Sequence, residues 1–230
     1  MTAPLLETLH IAVRASPATD DHEVVLTSEH GDLIARFADG MMGLDPDDLL
    51  VEPCRLLPGD TAHQACIGRC DCGVGDCGNV EVTITCDGQV VAWTTPERSV
   101  GARFDATAYV AEVRRALRDF GWESADRTAA RLIASALDRR RLAQAGFTFS
   151  WASGRLRATH MTLALHHGDG PYQILVDVPW QGRAPADVAE VCCQLLREPA
   201  HTWPDVRWYP LERGLGPPRF AGPGWRRDTH

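Results

Sequence analysis

The chain has 230 residues, 44% of them hydrophobic and 23% charged, with a formal net charge of −8. That length and balance describe a globular protein with room for one large core or two modest ones, and the acidic total argues against a nucleic-acid partner, which needs a basic stripe. All 23 basic side chains are arginine, so Schiff-base catalysis, pyridoxal phosphate attachment and the P-loop lysine are excluded, while the arginine bias itself fits a GC-rich genome.

The N-terminus has no basic stretch leading into an apolar run, and no segment reaches the roughly 18 apolar residues of a membrane helix. The expectation is a cytoplasmic protein without a membrane partner, its cysteines reduced. Charge is uneven: residues 1–100 hold 17 acids against 5 arginines, and residues 101–230 hold 14 against 18.

Residues 8–14, 22–28 and 32–37 read as strands. Residues 44–52 suggest a short helical turn with Pro46 at its first position and acids at its positive end. Then four cysteines fall within twelve residues: Cys66, Cys70, Cys72 and Cys77. Beyond them Val80, Val82, Ile84 and Cys86 alternate with Glu81, Thr83 and Thr85, a half-buried strand. Asp87-Gly88 predicts a two-residue hairpin turn pairing Ile84 with Val91 and Val82 with Trp93, with Cys86 inside.

From Asp105 the period becomes helical, with Tyr109, Val113, Leu117 and Phe120 on one stripe. Ser124 opens a second helix burying Leu132, Ile133, Ala136 and Leu137, with Arg139, Arg140 and Arg141 at its end. Gly146 stops it. Strands around Phe147–Trp151, Met161–Leu165 and Tyr172–Val178 form a meander, the first two joined through Ser153-Gly154. Pro185 opens a last helix carrying Cys192, residues 206–209 add an edge strand, and the tail from Leu211 reads as irregular with Phe220 and Trp225 exposed.

The fold expected is α+β: a β-rich region with a cysteine knuckle over 1–100, a helical pair, meander and helix over 101–210, and a Gly/Pro-rich tail over 211–230. Within the knuckle, Cys70 and Cys72 stand two apart, so an extended backbone puts both sulfurs on one face. Gly73 and Gly75 let the chain return Cys77 beside them. Cys66 reaches the same centre only if Gly68 bends the chain, and His63 is the alternative fourth ligand. Four thiolates suit tetrahedral Zn²⁺, so Cys66, Cys70, Cys72 and Cys77 are the expected zinc ligands. Unligated thiols, a disulfide or redox pair, or an iron–sulfur cluster are the alternatives.

Cys70, Cys72, Gly73, Cys77 and Gly78, followed by a strand and Trp93, resemble a knuckle of uncharacterised bacterial proteins, in which CxCG and then CG precede a β-hairpin. Phe120, Trp122 and Glu123 are similar as well. The resemblance spans about thirty residues. It implies a fold and a metal without a reaction, and only the last three cysteines belong to it.

Other groups are weaker. Cys54 and Cys192 read as core filler, and Cys193 points about 100° from Cys192. His166, His167 and Asp169 belong to a turn. Glu112, Glu123 and Asp126 are ordinary helix acids. No nucleophile elbow, zincin helix or dinucleotide motif appears. The function expected is binding or interaction, with an unidentified protein or small molecule as partner and a structural zinc. A zinc enzyme with an open coordination position and Asp71 or Asp76 as base is the alternative. Nucleic-acid binding through Arg139–Arg141 and the tail ranks last.

Overall fold

The computed structural model describes residues 5–15, 22–72, 78–95, 98–157, 159–168, 171–180 and 182–228. It is an α+β protein, strand-rich at the N-terminus, with further strands and helices toward the C-terminus. No helix among the described residues is long and apolar enough to cross a membrane. The chain divides into two compact units, Met1–Trp122 and Glu123–His230.

In the first unit β1 (His10–Ala15), β2 (His22–Ser28) and the short β3 (Gly31–Asp32) form one antiparallel sheet. The stretch expected as a third strand at 32–37 instead forms a helix, α1 (Leu33–Phe37). Asp32 decides this by capping it, accepting the Ala35 N–H at 3.0 Å. β4 (Met42–Gly43) leads into α2 (Pro46–Leu49), with Asp45 as cap and Pro46 at its start, as the sequence implies.

A second sheet runs β4, β5 (His63–Arg69), β6 (Asn79–Cys86), β7 (Val90–Thr95) and β8 (Arg98–Asp105). Among the described residues, two backbone bonds outside the strands join the sheets. Val24 N–H donates to Leu44 O at 2.8 Å, and Glu7 N–H donates to Arg103 O at 2.7 Å. The first sheet is thus tied to both edges of the second, beside β4 and at β8. Their shared core includes Leu26, Ile67, Val82, Ile84, Trp93 and Phe104, with Leu33, Phe37, Tyr109 and Val113 packed from the helices.

The β6–β7 register differs from expectation. Ile84 pairs with Trp93 and Cys86 with Val91, a shift of two residues. Asp87 causes it, because its carboxylate accepts from Gln89 N–H at 2.9 Å and Val90 N–H at 2.7 Å, which widens the turn. A shift of two keeps every side chain on its face, so Val82, Ile84, Val91 and Trp93 are still buried. Cys86, expected in the core, is exposed at the strand end.

α3 (Ala106–Ala116) starts at the Asp105 cap and buries Tyr109 and Val113; it ends before Phe120, which is exposed. Its polar face finishes β1. Glu112 accepts the Ile11 N–H at 2.7 Å while Arg115 donates to Ile11 O.

In the second unit α4 (Ala125–Ala136) is followed by α5 (Arg139–Gln144). Arg139–Arg141 thus open a helix rather than close one, although Arg139 still reaches back to the carbonyl of Ala134 at 3.4 Å. Ala136, expected in the buried stripe, is exposed. Gly146, at φ +83°, allows the chain to leave the helix. Then β9 (Phe147–Arg157), β10 (His160–His167) and β11 (Tyr172–Pro179) make the expected meander. Ser153-Gly154 is not its first turn. β9 runs through it, with Ser153 paired to Thr162, and Gly154 leaves room for Asp126 of α4, whose Cβ would stand 2.7 Å from a Cβ at 154.

α6 (Pro185–Leu195) packs on α4, and together they cover one sheet face through Ile133, Val188, Ala189 and Cys192. β12 (Val206–Pro210) is not the edge, since β13 (Arg226–Arg227) adds to it in parallel. The tail is therefore docked. Phe220 stacks on His167 with ring centroids 3.8 Å apart, and Trp225 lies nearly parallel to Trp203.

Candidate functional site

β5 and β6 form an antiparallel hairpin whose last described bond is Cys70 N–H donating to Gly78 O at 3.0 Å. The chain turns immediately after β5, and the two side chains flanking Asp71 converge there. Cys70 Sγ and Cys72 Sγ lie 2.7 Å apart, Cys70 half-buried and Cys72 exposed. Cys77, with Gly73, Gly75 and Asp76, lies outside the described residues. Gly78 is described, and its Cα faces the Cys70 Cβ and the Met41 methyl.

Cys66 is placed elsewhere. It occupies the middle of β5 opposite Glu81, and its thiol donates to Gly68 O at 3.4 Å. Gly68 sits at a register irregularity, yet β5 continues through it, buried against Ile34 and Met42. Extended backbone at about 3.3 Å per residue thus carries Cys66 about 13 Å from Cys70. Burial pushes the Cys66 thiol up, a backbone hydrogen bond at Gly68 works the other way, and the nearby Glu81 carboxylate adds to the rise. His63 is engaged on its own account, with Nε2 2.9 Å from Arg55 O, so that nitrogen carries a proton instead of a lone pair for a metal.

The donor set at the turn suits a soft ion. In a tetrahedral site with bonds near 2.3 Å, two sulfurs stand about 3.8 Å apart, so the pair would open by about 1 Å. Side-chain rotation on an exposed turn permits that. Among the described residues, no group of three or more His, Cys, Asp or Glu side chains is gathered closely enough to hold a metal.

Cys54, Cys192 and Cys193 serve the cores. Cys192 is fully buried and its thiol is pushed up to about 12 by burial, with Cys193 beside it adding to the effect. Cys54 donates to Leu49 O at 3.4 Å. The helix acids are also committed: Glu112 to Ile11 and Arg115, and Glu123 to Arg131 through two bonds of 2.7 and 2.9 Å. His167 is part of an aromatic stack with Phe147 and Phe220.

One cluster escaped the sequence reading. Asp177 is fully buried in β11, accepting from Thr162 at 2.6 Å, Arg157 at 2.8 Å and Arg207 at 2.8 and 3.2 Å. Burial alone would raise its carboxyl, but Arg207, Thr162 and Arg157 outweigh that and hold it below the usual carboxylate range. Its signal was present in the string Ile174-Leu175-Val176-Asp177-Val178, where a lone acid in an apolar strand requires partners.

No protein-family model, curated protein or solved structure matches the chain.

Proposed function

We propose that the chain is a binding or interaction protein in which a zinc ion fixes the tip of the β5–β6 hairpin, with Cys70 and Cys72 as two of its ligands. What supports this reading is the 2.7 Å approach of the two sulfurs on a turn that few apolar side chains help to order. Cys77 enters as the third ligand from sequence spacing alone. Cys66 is the fourth cysteine, and recruiting it requires breaking its bond to Gly68 O. A thiolate-rich shell neutralises the ion and weakens it as a Lewis acid, so its work here is structural. The partner is a protein or small molecule.

The mid-strand position of Cys66 favours a second reading. Three cysteines and a water would make a zinc enzyme with an open position, and Asp71 is the described acid on the same turn.

Elemental analysis of protein purified without chelator is expected to give about one zinc per chain. Cys70→Ser and Cys72→Ser should each lose it. Zinc near zero in the parent chain, with these thiols titrating normally, overturns the proposal. Cobalt substitution separates the two readings: Cys66→Ser alters the thiolate-to-metal absorption of a four-thiolate site and leaves that of a three-thiolate site unchanged.

A further inference from the structure

Beside buried Asp177, a cleft of 280 Å³ in the second unit is lined by Arg157, Arg207, Arg226, Arg227 and Asp228. Its side chains come from β9, β12, β13 and the residue after β13, so it exists only because the tail adds to the sheet. The carboxylates are all engaged. Asp177 takes Arg157, Arg207 and Thr162; Asp205 takes Arg157 and Arg226; Asp228 takes Arg207.

The guanidinium groups are not saturated. Arg207 uses Nε, Nη1 and Nη2 on acids, but Arg157 uses Nη1 alone and Arg226 uses Nη2 alone. Arg227 lies over the Trp208 ring, 5.5 Å from its centroid, and has no carboxylate partner among the described residues. Four guanidinium groups thus stand with three carboxylates, which leaves one positive charge and several N–H donors that no carboxylate takes among the described residues, around one small volume. Asp177 holds Arg157 and Arg207 by direct bonds, and Arg227 lies over the Trp208 ring, so part of the donor set is in place before a ligand arrives.

We propose that this cleft binds a tetrahedral oxyanion, a phosphate or sulfate group, either free or as the terminal group of a small molecule. The guanidinium fork matches such oxygens in pairs. The volume lies just under the range of pockets that enclose drug-sized ligands, so it suits a single charged group.

The test is calorimetric titration of the full chain with inorganic phosphate, with sodium chloride at matched ionic strength as control. Saturable binding of phosphate is expected, and Arg226→Gln/Arg227→Gln should weaken it by about tenfold or more. Neither position touches Asp177, so its buried ion pairs survive. Arg227→Lys gives a second reading that keeps the charge and loses the fork, and weakened phosphate binding is again expected. Heat no greater than that of chloride, or affinity unchanged in both variants, overturns the proposal. Titration with a phosphomonoester then distinguishes the sources: binding as tight as phosphate or tighter indicates a terminal phosphate, and exclusion indicates the free anion.

Discussion

Trp93 contacts three rings and starts a two-bond hydrogen-bond chain at the centre of the first unit. It is fully buried, with Phe104 at 5.4 Å, Tyr109 at 6.0 Å and Phe37 at 6.4 Å between ring centroids. Its Nε1–H donates to the Tyr109 hydroxyl at 3.1 Å, which donates in turn to Leu56 O at 2.8 Å. Trp93→Ala should therefore cost about 3–5 kcal/mol in urea unfolding, while Tyr109→Phe, which strands one donor and one acceptor, should cost about 1–3 kcal/mol. A loss well under 1 kcal/mol for Trp93→Ala would mean that the aromatic cluster does not carry this core. That Trp93 is buried was legible from alternation alone. Its partner was not, because one aspartate side chain, Asp87, sets the turn length and no periodicity reports that. The same limit applies to the candidate site. Two cysteines two apart bring their sulfurs together at a turn, not along the extended backbone their spacing suggests, whereas the fate of Cys66 depends on whether Gly68 turns the chain or stays within the strand.

At the scale of elements, sequence pattern located the helices at Asp105, Ser124 and Pro185 and the β9–β11 meander, since each has either a long period or a capping residue. It failed where tertiary contact decides. Residues 33–37 are apolar enough for a strand but start at an aspartate cap, and Ser153-Gly154 resembles a turn but gives Asp126 room. The tail is the clearest case: Gly and Pro suggest irregular chain, yet its aromatics dock on the second unit. Gly222 makes this possible, because a Cβ there would stand 2.1 Å from His201 O. Gly222→Ala should thus displace the tail by forcing that backbone apart, at about 1–3 kcal/mol. Hydrogen exchange read by peptide should rise over residues 211–228 and at β12, while β9 and β10 keep their protection. Parent-like protection of the tail in this variant would show that Gly222 does not seat it.

Across the whole molecule, the two units have different charge characters and separate buried acids. Residues 1–122 hold 20 acids against 9 arginines, and residues 123–230 hold 11 against 14. In the first unit Glu7 is tied to Arg36 by two bonds of 2.8 Å, and although burial raises its carboxyl, Arg36 and Ser28 hold it below its ordinary value. In the second unit Asp177 is held down in the same sense by Arg207, Thr162 and Arg157. A carboxyl depressed in the folded state contributes stability that is complete above its unfolded pKa, near 4, and is lost as pH falls through the lower folded value. Both units should be steady from pH 7 to about 5 and weaken below about 4. Protonating Asp177 also leaves Arg157 and Arg207 facing one another without their shared anion, in a unit already rich in arginine. Asp177→Asn should destabilise residues 123–230 by about 1–3 kcal/mol at neutral pH, because it removes the buried charge that Arg157 and Arg207 share and leaves them, among the described residues, only Asp205 and Asp228 as acids. It should also flatten the acid dependence of that unit alone. Peptide-resolved hydrogen exchange between pH 7 and 3, corrected for intrinsic rates, separates the two units. Residues 5–122 should titrate as in the parent chain. A matching shift in the first unit would show that the two fold as one cooperative body, and an unaltered acid limb in the second would remove Asp177 as its determinant.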